Sequence, residues 1–245
     1  MSSSDLAYAI AVLLVAYFVR GISGFGSGLL AVPLLALRFP LPQVVPFMLV
    51  ADLSASALIG GVHFRHVDRA EIRLLLPATV VGVVLGTGLL VALPPAVLLS
   101  VLAIFILAFA LRFLLAGDDP FAPVSARWAW PAALTGGAIS GLFGTGGPPY
   151  VIYLTHRLQD KSRLRATLSG LFFLEGLVRT LSFLVAGLLL DARIWLQVLI
   201  ALPIVVAALY VGSHVHTRLT DAQMRRAVGV LLLVSALALL IKAVR

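Results

Sequence analysis

Cysteine is absent from the 245 residues, which removes disulfides, thiol nucleophiles and thiolate metal sites from consideration. Charge is scarce too. Asp, Glu, Lys and Arg make up 11% of the chain, against roughly 25% in a soluble globular domain, so this chain does not face water on all sides. Histidine is missing from the middle of every apolar segment: His63, His66, His156, His214 and His216 all stand at segment ends. His214 and His216 are two apart, which is not the spacing that aims two helical side chains at one metal. Neither a metal nor a cofactor is expected. A basic stretch ahead of the first apolar run is lacking as well. The first arginine, Arg20, follows that run, the reverse of the order in a cleaved signal peptide.

What is present is apolar length. Hydrophobic residues make up 61% of the chain, with a mean hydropathy of +1.11. Stretches of about twenty apolar residues, the length that crosses a bilayer, recur along it. The composition predicts an all-α, polytopic membrane protein embedded in the lipid bilayer, a single transmembrane domain over 1–245 with no room for a soluble one. Helical segments are expected at 5–20, 27–38, 43–63, 72–92, 95–115, 128–142, 146–156, 163–188, 194–212 and 222–242. The second and seventh are too short to span alone, and whether they span or re-enter stays open. Each follows a glycine break, so the first with the second, and the sixth with the seventh, are expected to form hairpins. The net charge of +8 does not signal nucleic acid, because the basic residues cluster in short connectors as the positive-inside rule expects. Trp128, Trp130 and Trp195 open segments six and nine, as interface anchors do.

The two halves align. Asp52 matches Glu175 and Asp68 matches Asp191 at one offset, while Pro77 and Gly86 match Pro203 and Gly212 at a slightly larger one. This predicts two five-segment repeats, 1–116 and 127–245, divided near 120/121, each beginning with a Gly-rich broken-helix hairpin. If each segment crosses or pairs into a returning hairpin, thirteen of the 18 Lys and Arg residues collect on one side and four on the other. That bias puts both termini on the extracytoplasmic side. Equivalent loops then carry opposite loads, as an inverted repeat requires. In such folds the substrate binds where interrupted helices meet near the membrane midplane.

The breaks themselves are similar. Ile22-Ser23-Gly24 and Ile139-Ser140-Gly141 open them, and glycines follow. Helices starting near Ser27 and Thr145 would aim unpaired amides and positive dipole ends at the interior. Gly26 and Gly28 on one side, and Gly144, Gly146 and Gly147 on the other, would let a ligand approach that backbone, with Ser23, Ser27, Ser140 and Thr145 adding hydroxyls. Such a site favours an anion; close packing of helices through small residues is the alternative. Three ionisable groups lie at membrane depth. Glu175 and Arg179 are four apart on one helix face and could simply neutralise each other; alternatively Arg179 holds the anion while an acid carries a coupling proton. Asp52 has Ser56 where Glu175 has Arg179, so it reads as the better proton carrier. "RHVDRAEIR" (65–73) and "HRLQDKSRLR" (156–165) read as topology signals near headgroups.

With these motifs the chain resembles the sulfite/organosulfonate exporter family, TauE/SafE, also called the TSUP permeases. The resemblance rests on Gly24-Phe25-Gly26-Ser27-Gly28 followed by Val32-Pro33-Leu34. It also rests on Gly141-Leu142-Phe143-Gly144-Thr145-Gly146-Gly147-Pro148-Pro149, and on the basic helix 163–189 with its buried Arg179. It implies secondary transport, without ATP, of small sulfur-containing anions such as sulfite or sulfoacetate across the cell inner membrane. Ser27 within the first cluster and Pro148-Pro149 after the second depart from the usual pattern and leave the exact anion open. Direction and the choice between protons and sodium also stay open, and the residues allow a homodimer without requiring one. Gly21-Ile22-Ser23-Gly24 matches the Gly-x-Ser-Gly of intramembrane serine proteases, but no mid-segment histidine could serve as its base. A passive anion channel and a non-transporting scaffold are the remaining rivals.

Overall fold

The computed structural model describes residues 2–23, 26–59, 66–115, 124–214 and 221–244. Among them there is no strand. Ten α-helices follow in order: α1 (Ser3–Ser23), α2 (Ser27–Ala36), α3 (Leu41–Ile59), α4 (Arg69–Ala92), α5 (Pro95–Leu115), α6 (Ala129–Phe143), α7 (Gly147–Arg157), α8 (Lys161–Val185), α9 (Ala192–His214) and α10 (Asp221–Val244). Each expected segment has its helix. Five described helices, α1, α4, α5, α8 and α9, are long and apolar enough to cross a membrane. α2 and α7, with 10 and 11 residues, extend only about 15 Å at 1.5 Å per residue, half of the ~30 Å hydrocarbon layer.

Local chemistry explains the ends. Asp68 caps α4 by accepting the Ala70 and Glu71 amides (3.0 and 3.1 Å). Asp191 accepts the Arg193 amide at the start of α9 (2.9 Å), so two residues matched by sequence offset do the same job on matched helices. Asp160 caps α8 through Ser162 and Arg163 (2.7 and 2.9 Å). Outward faces are apolar, for example Val84 and Leu85 on α4 and Leu199 and Ile200 on α9, as lipid contact demands. Trp128, Trp130 and Trp195 are exposed beside the helix starts.

The principal packing pairs are α4 with α6, α5 with α10, α1 with α9, α3 with α9, and α4 with α8. Moving every helix five places along the order turns α1–α9 into α6–α4 and α3–α9 into α8–α4, and leaves α5–α10 on itself. Close backbone approach makes these pairs. A Cβ on Gly212 would collide with Phe18 O and lie 3.1 Å from Gly21 Cα, and one on Gly86 would collide with Ala138 O. The halves differ in one respect. α2 also packs on α10 and α5, whereas the main neighbours of α7 are α6 and α8. Lys242 Nζ donates to Ala36 O and Leu37 O (2.9 and 3.2 Å), placing a cation at the negative end of α2. The far end of α7 is held instead by side chains on α4 and α7. Arg157 Nε and Nη2 bond Glu71 Oε1 (2.8 and 2.7 Å), and Tyr153 OH donates to Glu71 Oε2 (2.8 Å).

Candidate functional site

The two helix breaks touch. A Cβ on Gly28, in the first turn of α2, would lie 2.8 Å from Gly144 O and 3.5 Å from Thr145 Cγ2. Gly144 closes α6 in a left-handed conformation (φ 71°), which glycine tolerates without strain. Its amide bonds Ser140 O at 2.7 Å. Gly26 precedes α2 with φ 95°, and no side chain caps the helix start. The first amides of α2 therefore have no intrahelical acceptor, and the first turn of α2 lies against Gly144 and Thr145. The second helix begins at Gly147, one residue after the expected 146 and two after Thr145. Pro148 and Pro149 occupy its first turn, where a missing N–H costs nothing in helix bonds but also offers nothing to a ligand. The amide-rich start is thus mainly that of α2.

Arg179 stands over the junction. A Cβ on Gly144 would be 3.0 Å from Arg179 Nη2. The side chain is 7% exposed, its guanidinium lies 5.4 Å from the Phe183 ring centroid, and its Nε and Nη2 have no hydrogen-bond partner among the described residues. Thr145 Oγ1, also buried, has none either. Buried donors left unpaired cost about 1–3 kcal/mol each, more for charged groups, so three of them around one point call for an acceptor. No ion pair joins Glu175 to Arg179 among the described residues. The two side chains, four apart on one helix, are therefore not in direct contact. Glu175 is buried, within electrostatic reach of Arg179, as are Asp52 and Tyr150. Tyr150, fully buried from α7, donates to Thr79 Oγ1 (3.2 Å).

Asp52 requires a correction. It was expected to lack a cationic partner, because its own helix supplies none. The partner comes from α1: Arg20 Nη1 forms an ion pair with Asp52 Oδ1. Tyr17 OH donates to the same oxygen (2.6 Å), and so does Ser27 Oγ (2.9 Å). Arg20 is accordingly no connector residue. α1 runs past it to Ser23, because its charge is matched inside the bundle. Ser27 ties this cluster to the start of α2.

The predicted residues divide. Gly28, Gly144, Thr145 and Arg179 converge, with Gly26 and Ser27 just before Gly28 in the chain, Asp52 joined through Ser27 and Glu175 one turn from Arg179. Gly141 faces α4, where a Cβ would meet Val83 O and Thr87 N, and Gly146 faces Gly136 O and Ser140; both serve helix packing. Gly147 faces Phe172. Ser23 ends α1, of which only the backbone is described here, and Gly24 lies outside the described residues. Arg20, Tyr17 and Tyr150 were missed from sequence. Tyr17 and Arg20 sit three apart on the last turns of α1, a one-face spacing that could have paired them.

Half-length helices meeting at a buried junction that holds unpaired donors, inside a multi-pass apolar bundle, define a membrane transporter of the broken-helix class. Residues 8–239 match the family described as Sulfite exporter TauE/SafE, and the chain belongs to that family. It is 28% identical over 192 residues to the "Probable inner membrane transporter protein TsaS" of Comamonas testosteroni, covering 78% of this chain and 80% of that one. It is 30% identical over 229 residues to the "Probable sulfite/organosulfonate exporter TauE" of Cupriavidus necator, covering 89% and 88%. No solved structure matches. The chain is a transporter, and the serine-protease reading of Gly21–Gly24 is set aside.

Proposed function

We propose that this protein carries small sulfur oxyanions, sulfite or organosulfonates such as sulfoacetate, across the inner membrane by alternating access driven by the proton gradient. The observation that carries the reading is Arg179: a buried guanidinium with two unpaired nitrogens beside Gly144 and the unpaired Thr145 hydroxyl. A sulfonate or sulfite presents several acceptor oxygens on one centre. It can accept from Nε–H and Nη2–H of the arginine as a bidentate pair, and from Thr145 and the first amides of α2 at the same time. The printed name of the Cupriavidus necator relative points to the same substrates.

Proton coupling is assigned to Glu175 in preference to Asp52. The Asp52 charge is already matched by Arg20 and by two hydroxyl donors, whereas Glu175 makes no ion pair with any described residue. An anion bound at Arg179 brings negative charge next to Glu175, which favours uptake of a proton there as cargo binds. Two repeats lying upside down to one another, with both termini outside, are the architecture proposed for the movement. The five-place regularity of the packing and the matched caps at Asp68 and Asp191 support it.

The test is flux in proteoliposomes together with a thermal-shift screen of sulfonates, carboxylates and inorganic sulfur anions. Saturable, pH-gradient-dependent uptake and a ligand shift lost in Arg179→Ala are expected. Ohmic current independent of pH would make the protein a channel, and absence of flux with every anion would make it a scaffold. A ligand shift of equal size in Arg179→Ala would remove Arg179 from the site.

A further inference from the structure

We propose that the groove between the cytoplasm-side end of α4 and the middle of α8 is a binding site for an anionic diacyl phospholipid, its phosphate held by Arg69 and Arg73. The groove encloses about 270 Å³, and its wall is formed by Val67, Ile72, Gly170, Phe173 and Leu174 together with the two arginines. That wall is almost wholly apolar, so the arginines border it through their methylene stems and carry their charge to its mouth.

The charge at that mouth is surplus. Along the sequence Asp68-Arg69-Ala70-Glu71-Ile72-Arg73 the acids and bases part company. Asp68 and Glu71 turn inward, where Arg163 takes Asp68 (2.9 Å) and Arg157 with Tyr153 takes Glu71. Arg69 and Arg73, four apart on the outer face, are exposed. Neither bonds any described residue. Two unmatched guanidiniums one turn apart suit a phosphodiester, which both can share.

Apolar tracks continue from the same place. On α8 Phe173, Leu177 and Leu181 are exposed in an i, i+4, i+8 stripe, and on α4 Val80 and Val84 continue the face that bears Arg73. A headgroup at the arginines would therefore lay one acyl chain along each stripe. Basic pockets between transmembrane helices on the cytoplasmic side recognise anionic lipid headgroups in this manner. A zwitterionic lipid would fill the groove equally well but bring its own cation to the arginines.

The experiment is native mass spectrometry of the purified full chain, titrated with phosphatidylglycerol or with phosphatidylcholine of identical acyl chains. Wild type should favour phosphatidylglycerol by roughly tenfold or more, given two basic groups at the headgroup. R69Q/R73Q should bring the ratio close to one while keeping the melting temperature. R112Q/R127Q, which removes the same charge from the same side away from the groove, should keep the preference. No preference in wild type, its survival in R69Q/R73Q, or its equal loss in R112Q/R127Q would each overturn the proposal. So would glycerophosphoglycerol, which has no acyl chains, binding as tightly as the whole lipid.

Discussion

Arg20 and Arg179 are both arginines inside an apolar bundle, and their opposite bonding predicts opposite mutant behaviour. Arg20 neutralises Asp52, so Arg20→Ala strands a carboxylate. The expected loss is about 2 kcal/mol, less than the ~3–5 of a fully buried pair, because the two side chains stay 18% and 24% exposed. Calorimetry should show a melting temperature lower by several degrees, largely restored in the Arg20→Ala/Asp52→Asn double variant, the signature of direct coupling. Arg179 bonds nothing through Nε or Nη2. Arg179→Ala should therefore leave the ligand-free melting temperature unchanged or raised, and abolish the shift produced by substrate. Of these two placements only the second was legible in the sequence. Arg179 and Glu175 share one helix, so their proximity follows from helical spacing. Arg20 and Asp52 lie 32 residues apart on different helices, and their meeting depends on how the first hairpin folds against α3.

At the scale of elements, the contact between the two breaks is backbone against backbone, which no rotamer change can relieve. Gly28→Ala would set a methyl 2.8 Å from Gly144 O, so it should abolish uptake while the protein still folds and inserts. Gly88→Ala on α4, whose added carbon meets nothing within 4 Å, is the control and should leave uptake intact. The capping of α8 makes a pH prediction. Amides of Arg163 and then Ser162 hold the Asp160 carboxyl below its usual range. Stability gained from this cap is present above the ordinary carboxylate value of about 3.9 and is lost as pH falls through the lower folded-state value. Asp160→Ala should thus be less stable than wild type at neutral pH, with the difference vanishing in strong acid, as followed by circular dichroism melts. Ten helices were readable from apolar length and from proline and glycine punctuation. Their ends were less so. The extension of α1 to Ser23 depends on the Arg20–Asp52 pair, and the late start of α7 follows from Pro148 and Pro149, which fit a first helical turn but supply no amide.

For the whole molecule, orientation is the open quantity that charge bias predicts, and the missing cysteines make it easy to measure. Single cysteines need no other thiol removed. Leu190→Cys should react with an impermeant maleimide in intact cells, and Ala126→Cys only after permeabilisation; the reverse would turn the protein over. The five-place regularity of helix packing was foreshadowed by the sequence offsets, whereas the unequal seating of α2 and α7 was not, since it arises from α10 and α5 closing on one half alone. That inequality has a consequence for motion. α2 is welded by packing and by the Lys242 ammonium on its last carbonyls; α7 hangs from a clasp of opposite charges at Glu71. Amide deuterium should enter α7 sooner than α2, and Glu71→Gln should hasten it in α7 alone. Any rectification of flow through such a pair would then reside in mechanical stiffness, one leaf of the turnstile yielding before the other.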